Sequence, residues 1–155
     1  MRKLTITDKG LSRVVRRVQD LPGQQLFQYL DEDGNSHSVG SAEVNAYIRD
    51  AMGDDFTAKH FRTWSASVIA LEHVVVSAAS GMPVKLAELL QPVAAALGNT
   101  PTIARKSYVH PYVLEHASTR GEAVVLPRKT RWLTPVERAL IALLDAGGKA
   151  VSKAA

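Results

Sequence analysis

The hydrophobic positions of this chain recur mainly at helical spacing. In residues 8–20, Leu11, Val14, Val15 and Val18 fall on one face and Arg13, Arg16 and Arg17 on another, which predicts an amphipathic helix. Leu21-Pro22-Gly23 ends it. Residues 26–30 alternate loosely, residues 31–35 (Asp-Glu-Asp-Gly-Asn) read as a turn, and residues 36–39 return, predicting a short β-hairpin. A helix from Ser41, taken as its N-cap, runs to about Met52 before Gly53. The longest helix is predicted over 58–79, with Thr57 at its N-cap and a stripe of Phe61, Trp64, Val68, Leu71 and Val75. Pro83 suits the first turn of a helix over 83–97, which Gly98 stops. Asn99-Thr100-Pro101 opens a short helix through Tyr108, and Pro111 interrupts it. After a polar stretch over 117–133, Thr134-Pro135-Val136-Glu137 has the form of a capping box with proline at the first helical position. The helix it opens is predicted to end at Gly147-Gly148, leaving 148–155 as a frayed tail. The expected fold is mainly α, one multi-helix domain over 1–155 with a short β-hairpin near the N-terminus.

Composition narrows the chemistry. The 155 residues include no cysteine, which removes disulfides, thiolate metal sites and cysteine nucleophiles. The five histidines, His37, His60, His73, His110 and His116, form no HxxxH or HExxH pair, so no metal site is expected. There is no P-loop, GxGxxG or GxSxG. No apolar run reaches the ~18 residues of a membrane span, and the N-terminus has no apolar signal region, so a cytoplasmic protein with no membrane partner is expected. The net charge of +4 permits a nucleic-acid partner. The cations cluster at Arg13, Arg16 and Arg17, at Lys59, His60 and Arg62, at Arg105 and Lys106, and at Arg128, Lys129 and Arg131, while the acids gather at 31–33 and 54–55.

Two segments stand out. In residues 56–64 (Phe-Thr-Ala-Lys-His-Phe-Arg-Thr-Trp), Lys59 and Arg62 are three apart and share a helix face, with Phe61 and Trp64 expected on the adjoining face toward the core. An arginine held beside buried aromatics can clamp a phosphate bidentately. The plainer reading is a solvated basic face. In residues 97–111, Tyr108 follows Arg105 and Lys106 on a short, proline-bounded helix. A tyrosine with its ordinary pKa of ~10 is a weak nucleophile, and neighbouring cations favour the phenolate that can attack phosphorus. The plainer reading is a tyrosine packing its ring in the core.

Together with residues 21–30 (Leu-Pro-Gly-Gln-Gln-Leu-Phe-Gln-Tyr-Leu) and 39–48 (Val-Gly-Ser-Ala-Glu-Val-Asn-Ala-Tyr-Ile), these segments resemble, in the same order, the catalytic region of type IB DNA topoisomerases, in the bacterial, poxvirus-like branch. The resemblance covers nearly the whole chain. It implies the fold shared by that family and the tyrosine recombinases. It also implies cleavage of one strand of double-stranded DNA through a 3′-phosphotyrosyl link, without ATP or metal, by a monomer at the nucleoid. By motif position Tyr108 would be the nucleophile and Arg62 would contact a non-bridging oxygen of the scissile phosphate. Asn99 stands where many relatives carry a histidine that donates to the other oxygen. Lys59, one turn before Arg62, would be a secondary phosphate contact. Arg105, Lys106 and the row Arg13, Arg16, Arg17 would bind DNA.

The chain also departs from the pattern. A further arginine in an RxGK-like segment and a hairpin lysine acting as general acid fall upstream of the stretch present. Lys3 is the stand-in that this sequence offers for the lysine, the N-terminal clamp lobe is expected to be absent, and His60 replaces a frequent aspartate. Without the general acid, cleavage by this chain alone is expected to be slow or lost. Two alternatives remain: a tyrosine recombinase, which would carry His-x-x-Arg well upstream of its tyrosine instead of Asn99-Thr-Pro-Thr102, and a non-catalytic module that binds the DNA backbone.

Overall fold

The computed structural model describes residues 7–21, 25–81, 84–118 and 124–153, with no account of the side chains of 148–153. Lys3, Pro22, Gly23 and Pro83 lie outside the described residues. The chain divides into two compact units, Met1–Ala58 and Lys59–Ala155.

The first unit holds helix α1 (Lys9–Gln19), strands β1 (Gln28–Leu30) and β2 (Ser36–Ser38), and helix α2 (Ser41–Met52). Helix α1 starts because the Asp8 carboxylate accepts the Leu11 N–H at 2.6 Å. None of its residues is buried, and Leu11 and Val14 on its apolar face are exposed. The strands pair antiparallel, with Tyr29 opposite His37. Their turn is built by one carboxylate: Asp31 accepts the backbone N–H groups of Asp33 and Asn35 and lies 2.7 Å from His37 Nε2. These contacts, the His37 hydrogen bond above all, hold Asp31 well below the usual carboxylate value, at about 2. Gly34 takes the positive φ that the turn requires. The N-cap of α2 is Gly40, one residue earlier than the predicted Ser41. The Glu43 carboxylate accepts the Gly40 N–H at 3.0 Å, the reaching-back half of a capping box, while glycine has no hydroxyl to serve the first-turn N–H groups.

The second unit holds α3, which begins at its border (Ala58–Ala79), α4 (Leu86–Leu97), α5 (Pro101–Ser107), α6 (Pro111–Ser118) and α7 (Pro135–Lys153). One apolar cluster binds these helices together. It takes Ala66, Ala70, Leu71 and Val74 from α3, Leu89, Leu90, Val93 and Ala94 from α4, Ala104 from α5, Val113 from α6, and Ala139 and Leu140 from α7. Burying each such Leu or Val contributes roughly 1.5–3 kcal/mol.

Several predicted boundaries move. Helix α4 starts at Leu86, with Lys85 as N-cap, rather than at 83. Pro111 opens α6 instead of merely stopping α5, because proline fits a first helical turn, whose N–H groups have no intrahelical partner. Helix α7 runs through Gly147 and Gly148 to Lys153, so the predicted stop is absent. A helical glycine costs only ~1 kcal/mol, and a Cβ at 147 would meet the Tyr112 ring at 2.6 Å. That glycine admits an aromatic ring; it does not end a helix. The capping box of α7 is present as read: Glu137 Oε2 accepts from Thr134 N at 2.8 Å, and Glu137 N donates to Thr134 Oγ1 at 3.2 Å.

Candidate active site

The buried face of α3 is Ala66, Ser67, Ala70, Leu71 and Val74, so small and aliphatic residues rather than its aromatics line the interior. Phe61, expected toward the core, is 52% exposed. Trp64 is half-buried against the core, and its indole Nε1–H donates to Glu137 Oε1 at 3.3 Å. Residues 58–62, at the start of α3, are all exposed and stand clear of the cluster that holds the rest of the helix. Lys59 and Arg62 are both exposed there.

Arg62 is nonetheless fixed in place. Its guanidinium donates to the Leu97 carbonyl at 3.1 Å, at the C-terminal end of α4. A cation is favoured at that end, where helix carbonyls lack partners. The same guanidinium lies over the Tyr108 ring, 5.0 Å from its centroid. Two contacts thus hold one cation against the candidate nucleophile, and several of its five N–H groups stay available.

Asn99 is placed by the end of α4. Gly98 takes the left-handed conformation at φ 68°, which lets the Asn99 backbone N–H bond back to the Ala94 carbonyl at 2.9 Å. The Asn99 side-chain Nδ2 is shielded from solvent and has no hydrogen-bond partner. An amide donor left in that condition carries a desolvation penalty of about 1–3 kcal/mol until an acceptor reaches it.

Tyr108 caps α5, which ends at Ser107, one residue before the predicted end. Its N–H bonds the Ala104 carbonyl at 3.1 Å, and its half-buried ring packs against the core. The next turn is tied to α3 through Ser67, a residue whose role sequence reasoning missed. Buried Ser67 accepts the His110 N–H at 3.0 Å while its hydroxyl donates to the Thr63 carbonyl at 2.9 Å. A lone serine on the apolar face of a helix was the available signal. Arg105 and Lys106 are exposed on α5. The structure thus brings Arg62 onto Tyr108 and onto the residue pair preceding Asn99, all in the second unit. Arg13, Arg16 and Arg17 lie exposed along α1 in the first.

Glu137 has its carboxyl pulled below the ordinary value of 4.5, chiefly by the Thr134 backbone N–H and then by the Thr134 hydroxyl and the Trp64 indole. Among the described residues, no group of three or more His, Asp or Glu could hold a metal ion, and no helix is long and apolar enough to cross a membrane.

A family model described as "Eukaryotic DNA topoisomerase I, catalytic core" matches residues 4–125. The chain belongs to the type IB DNA topoisomerase family. It is also similar to a DNA topoisomerase 1B of Acanthamoeba polyphaga mimivirus, with 32% identity over 112 residues, 65% of this chain and 33% of that protein. The topoisomerase-family chain spans about a third of the length of the curated relative it matches. The matched residues include every element from the hairpin to α6 and so take in Lys59, Arg62, Asn99 and Tyr108. The topoisomerase match stops at 125, before the turn and helix α7 that follow.

Proposed function

We propose that this chain is a type IB topoisomerase catalytic domain of the bacterial, poxvirus-like branch. It cuts and reseals one strand of double-stranded DNA, acting as a monomer at the nucleoid. The observation that carries this reading is the convergence of Arg62 on the Tyr108 ring and on the α4 end that presents Asn99.

In the proposed step, the Tyr108 Oη gives up its proton and attacks the scissile phosphorus. An O–P bond forms to the phenol oxygen, and the bond to the 5′-oxygen breaks. The 5′-oxygen leaves as a hydroxyl after taking a proton, and the DNA 3′-end stays on the tyrosine. Reversal of the same exchange reseals the strand, so no nucleotide hydrolysis is needed. Negative charge builds on the two non-bridging oxygens as phosphorus becomes pentacoordinate. Arg62 serves one oxygen and the unpartnered Asn99 amide serves the other. Donors oriented before reaction are what make such stabilisation effective. Lys59, Arg105 and Lys106 bind flanking phosphates, and Arg13, Arg16 and Arg17 hold the duplex more loosely. On this reading both units act as one catalytic domain.

The test is incubation with a suicide DNA substrate, followed by mass spectrometry of the adduct. DNA should be found on Tyr108, and Tyr108→Phe should form no adduct and relax no supercoiled plasmid. Salt-sensitive binding with no adduct would favour a non-catalytic DNA-binding module. A Tyr108→Phe variant as active as the parent would remove this tyrosine from the chemistry.

A further inference from the structure

The cations at 128–131 play no part in the site above, and they lie beyond the stretch matched to the family. They flank a built turn. Thr130 N donates to the Leu133 carbonyl at 2.9 Å, and Leu133 N donates to Thr130 Oγ1 at 3.1 Å. Between these anchors Arg131 and Trp132 are held at the tip. Trp132 is 77% exposed, and the Arg131 guanidinium lies over its ring, 4.6 Å from the centroid. On one side Arg138 donates to the Arg128 carbonyl. On the other, Thr134 caps α7 with Glu137, whose second oxygen holds Trp64. The turn is thus fastened to α7 and through it to α3, two residues beyond Arg62. Residues 128–138 carry four cations, Arg128, Lys129, Arg131 and Arg138, against one carboxylate, Glu137, which is engaged with Thr134 and Trp64.

An indole in water at the tip of a pinned turn loses nothing by waiting there, and one face is already covered by a guanidinium. The open face suits a second flat, electron-rich surface, and the surrounding charge suits a polyanion. A nucleic acid offers both, but only where a base is out of its stack. We propose that the 128–132 turn is an accessory site for unpaired nucleotides, with Trp132 stacking a base and Arg128, Lys129 and Arg131 holding the adjoining phosphates. This site does not depend on the roles assigned to Tyr108, Arg62 or Asn99.

The test uses the full chain with fluorescein-labelled oligothymidylate, a DNA hairpin duplex of equal charge, and polyglutamate. A Tyr108→Phe background keeps cleavage out of the readout. Trp132→Ala should weaken oligothymidylate binding roughly tenfold and leave the duplex unchanged, as expected for one lost base stack. Trp132→Phe should retain most of the affinity. Arg128→Ala with Lys129→Ala should lower the salt dependence of oligothymidylate binding by about 1–2 in log–log slope. Circular dichroism should be unchanged throughout, because all three side chains are exposed. Equal oligothymidylate affinity in Trp132→Ala would overturn the proposal. So would an equal loss on duplex and oligothymidylate, or polyglutamate binding as tightly as oligothymidylate.

Discussion

Arg62 and the arginines of α1 carry the same charged group and meet opposite surroundings. Arg62 is exposed, yet it is held by a helix-end carbonyl and an aromatic ring. Arg13, Arg16 and Arg17 stand along a helix with no buried residue. The first arrangement removes rotamer freedom in advance, so a phosphate arriving there meets a group already oriented. The second leaves that freedom intact and can offer attraction but little geometry. Charge counted along the sequence treats the two as equals; what separates them is whether neighbouring structure has fixed the side chain.

Substitutions can break this contrast or sharpen it. The largest effect expected after Tyr108→Phe is that of Arg62→Ala, which should slow single-turnover cleavage by about 100-fold or more. Arg62→Lys should restore only part of that rate, because an ammonium keeps the charge but lacks the planar fork. Full rescue by lysine would show that orientation is unimportant and erase the contrast.

Asn99→Ala should also slow cleavage, by roughly 100-fold. It should not lower the thermal midpoint, because removing an unpaired shielded amide relieves about 1–3 kcal/mol of desolvation penalty rather than breaking a bond. Differential scanning calorimetry beside single-turnover kinetics checks both halves of that expectation.

Glu137 connects the α7 cap to Trp64, and its titration gives a stability signal. Its folded value lies below the ordinary 4.5, so its carboxylate stabilises the fold fully above 4.5, and this is lost as pH falls through the lowered value. The melting temperature of Glu137→Gln should therefore lie below the parent's at neutral pH and approach it in acid. A constant gap across that range would show that the charge is immaterial.

The smallest effect is expected on α1. Replacing Arg13, Arg16 and Arg17 together by alanine should lower the salt slope of duplex binding by about 2–3 and leave the cleavage rate of bound DNA nearly unchanged. A loss of cleavage comparable to that of Arg62→Ala would place these arginines in the chemistry.

Much of the fold is legible in sequence because its signals are local. The Asp31 turn, the Thr134–Glu137 box and the Gly98 stop each depend on a few adjacent residues whose geometry follows from residue type. Tyr108, Arg62 and Asn99 were singled out by motif position, and the structure brings Arg62 onto Tyr108 and onto the α4 end that presents Asn99. The failures share another cause. The apolar stripe of α3 suggests aromatics in the core, but the buried face is centred on Ala66, Ser67, Ala70, Leu71 and Val74, with Trp64 at its margin, and Phe61 at the exposed start of the helix is left outside. Gly147 looked like punctuation because its partner, the Tyr112 ring, is 35 positions away in the chain. Ser67 carries only the weak signal of a serine on an apolar face, and the Leu97 carbonyl carries none, because what lies opposite each is set by the tertiary fold.

The Ser67 hydroxyl joins a turn of α3 to the peptide just past Tyr108. The turn of α3 that follows Arg62 and the turn that follows Tyr108 are thereby tied backbone to backbone through one buried side chain. Warming the protein should consequently leave the spacing between the two groups intact until the whole helical interior gives way, so that catalytic competence and cooperative melting would vanish over the same few degrees.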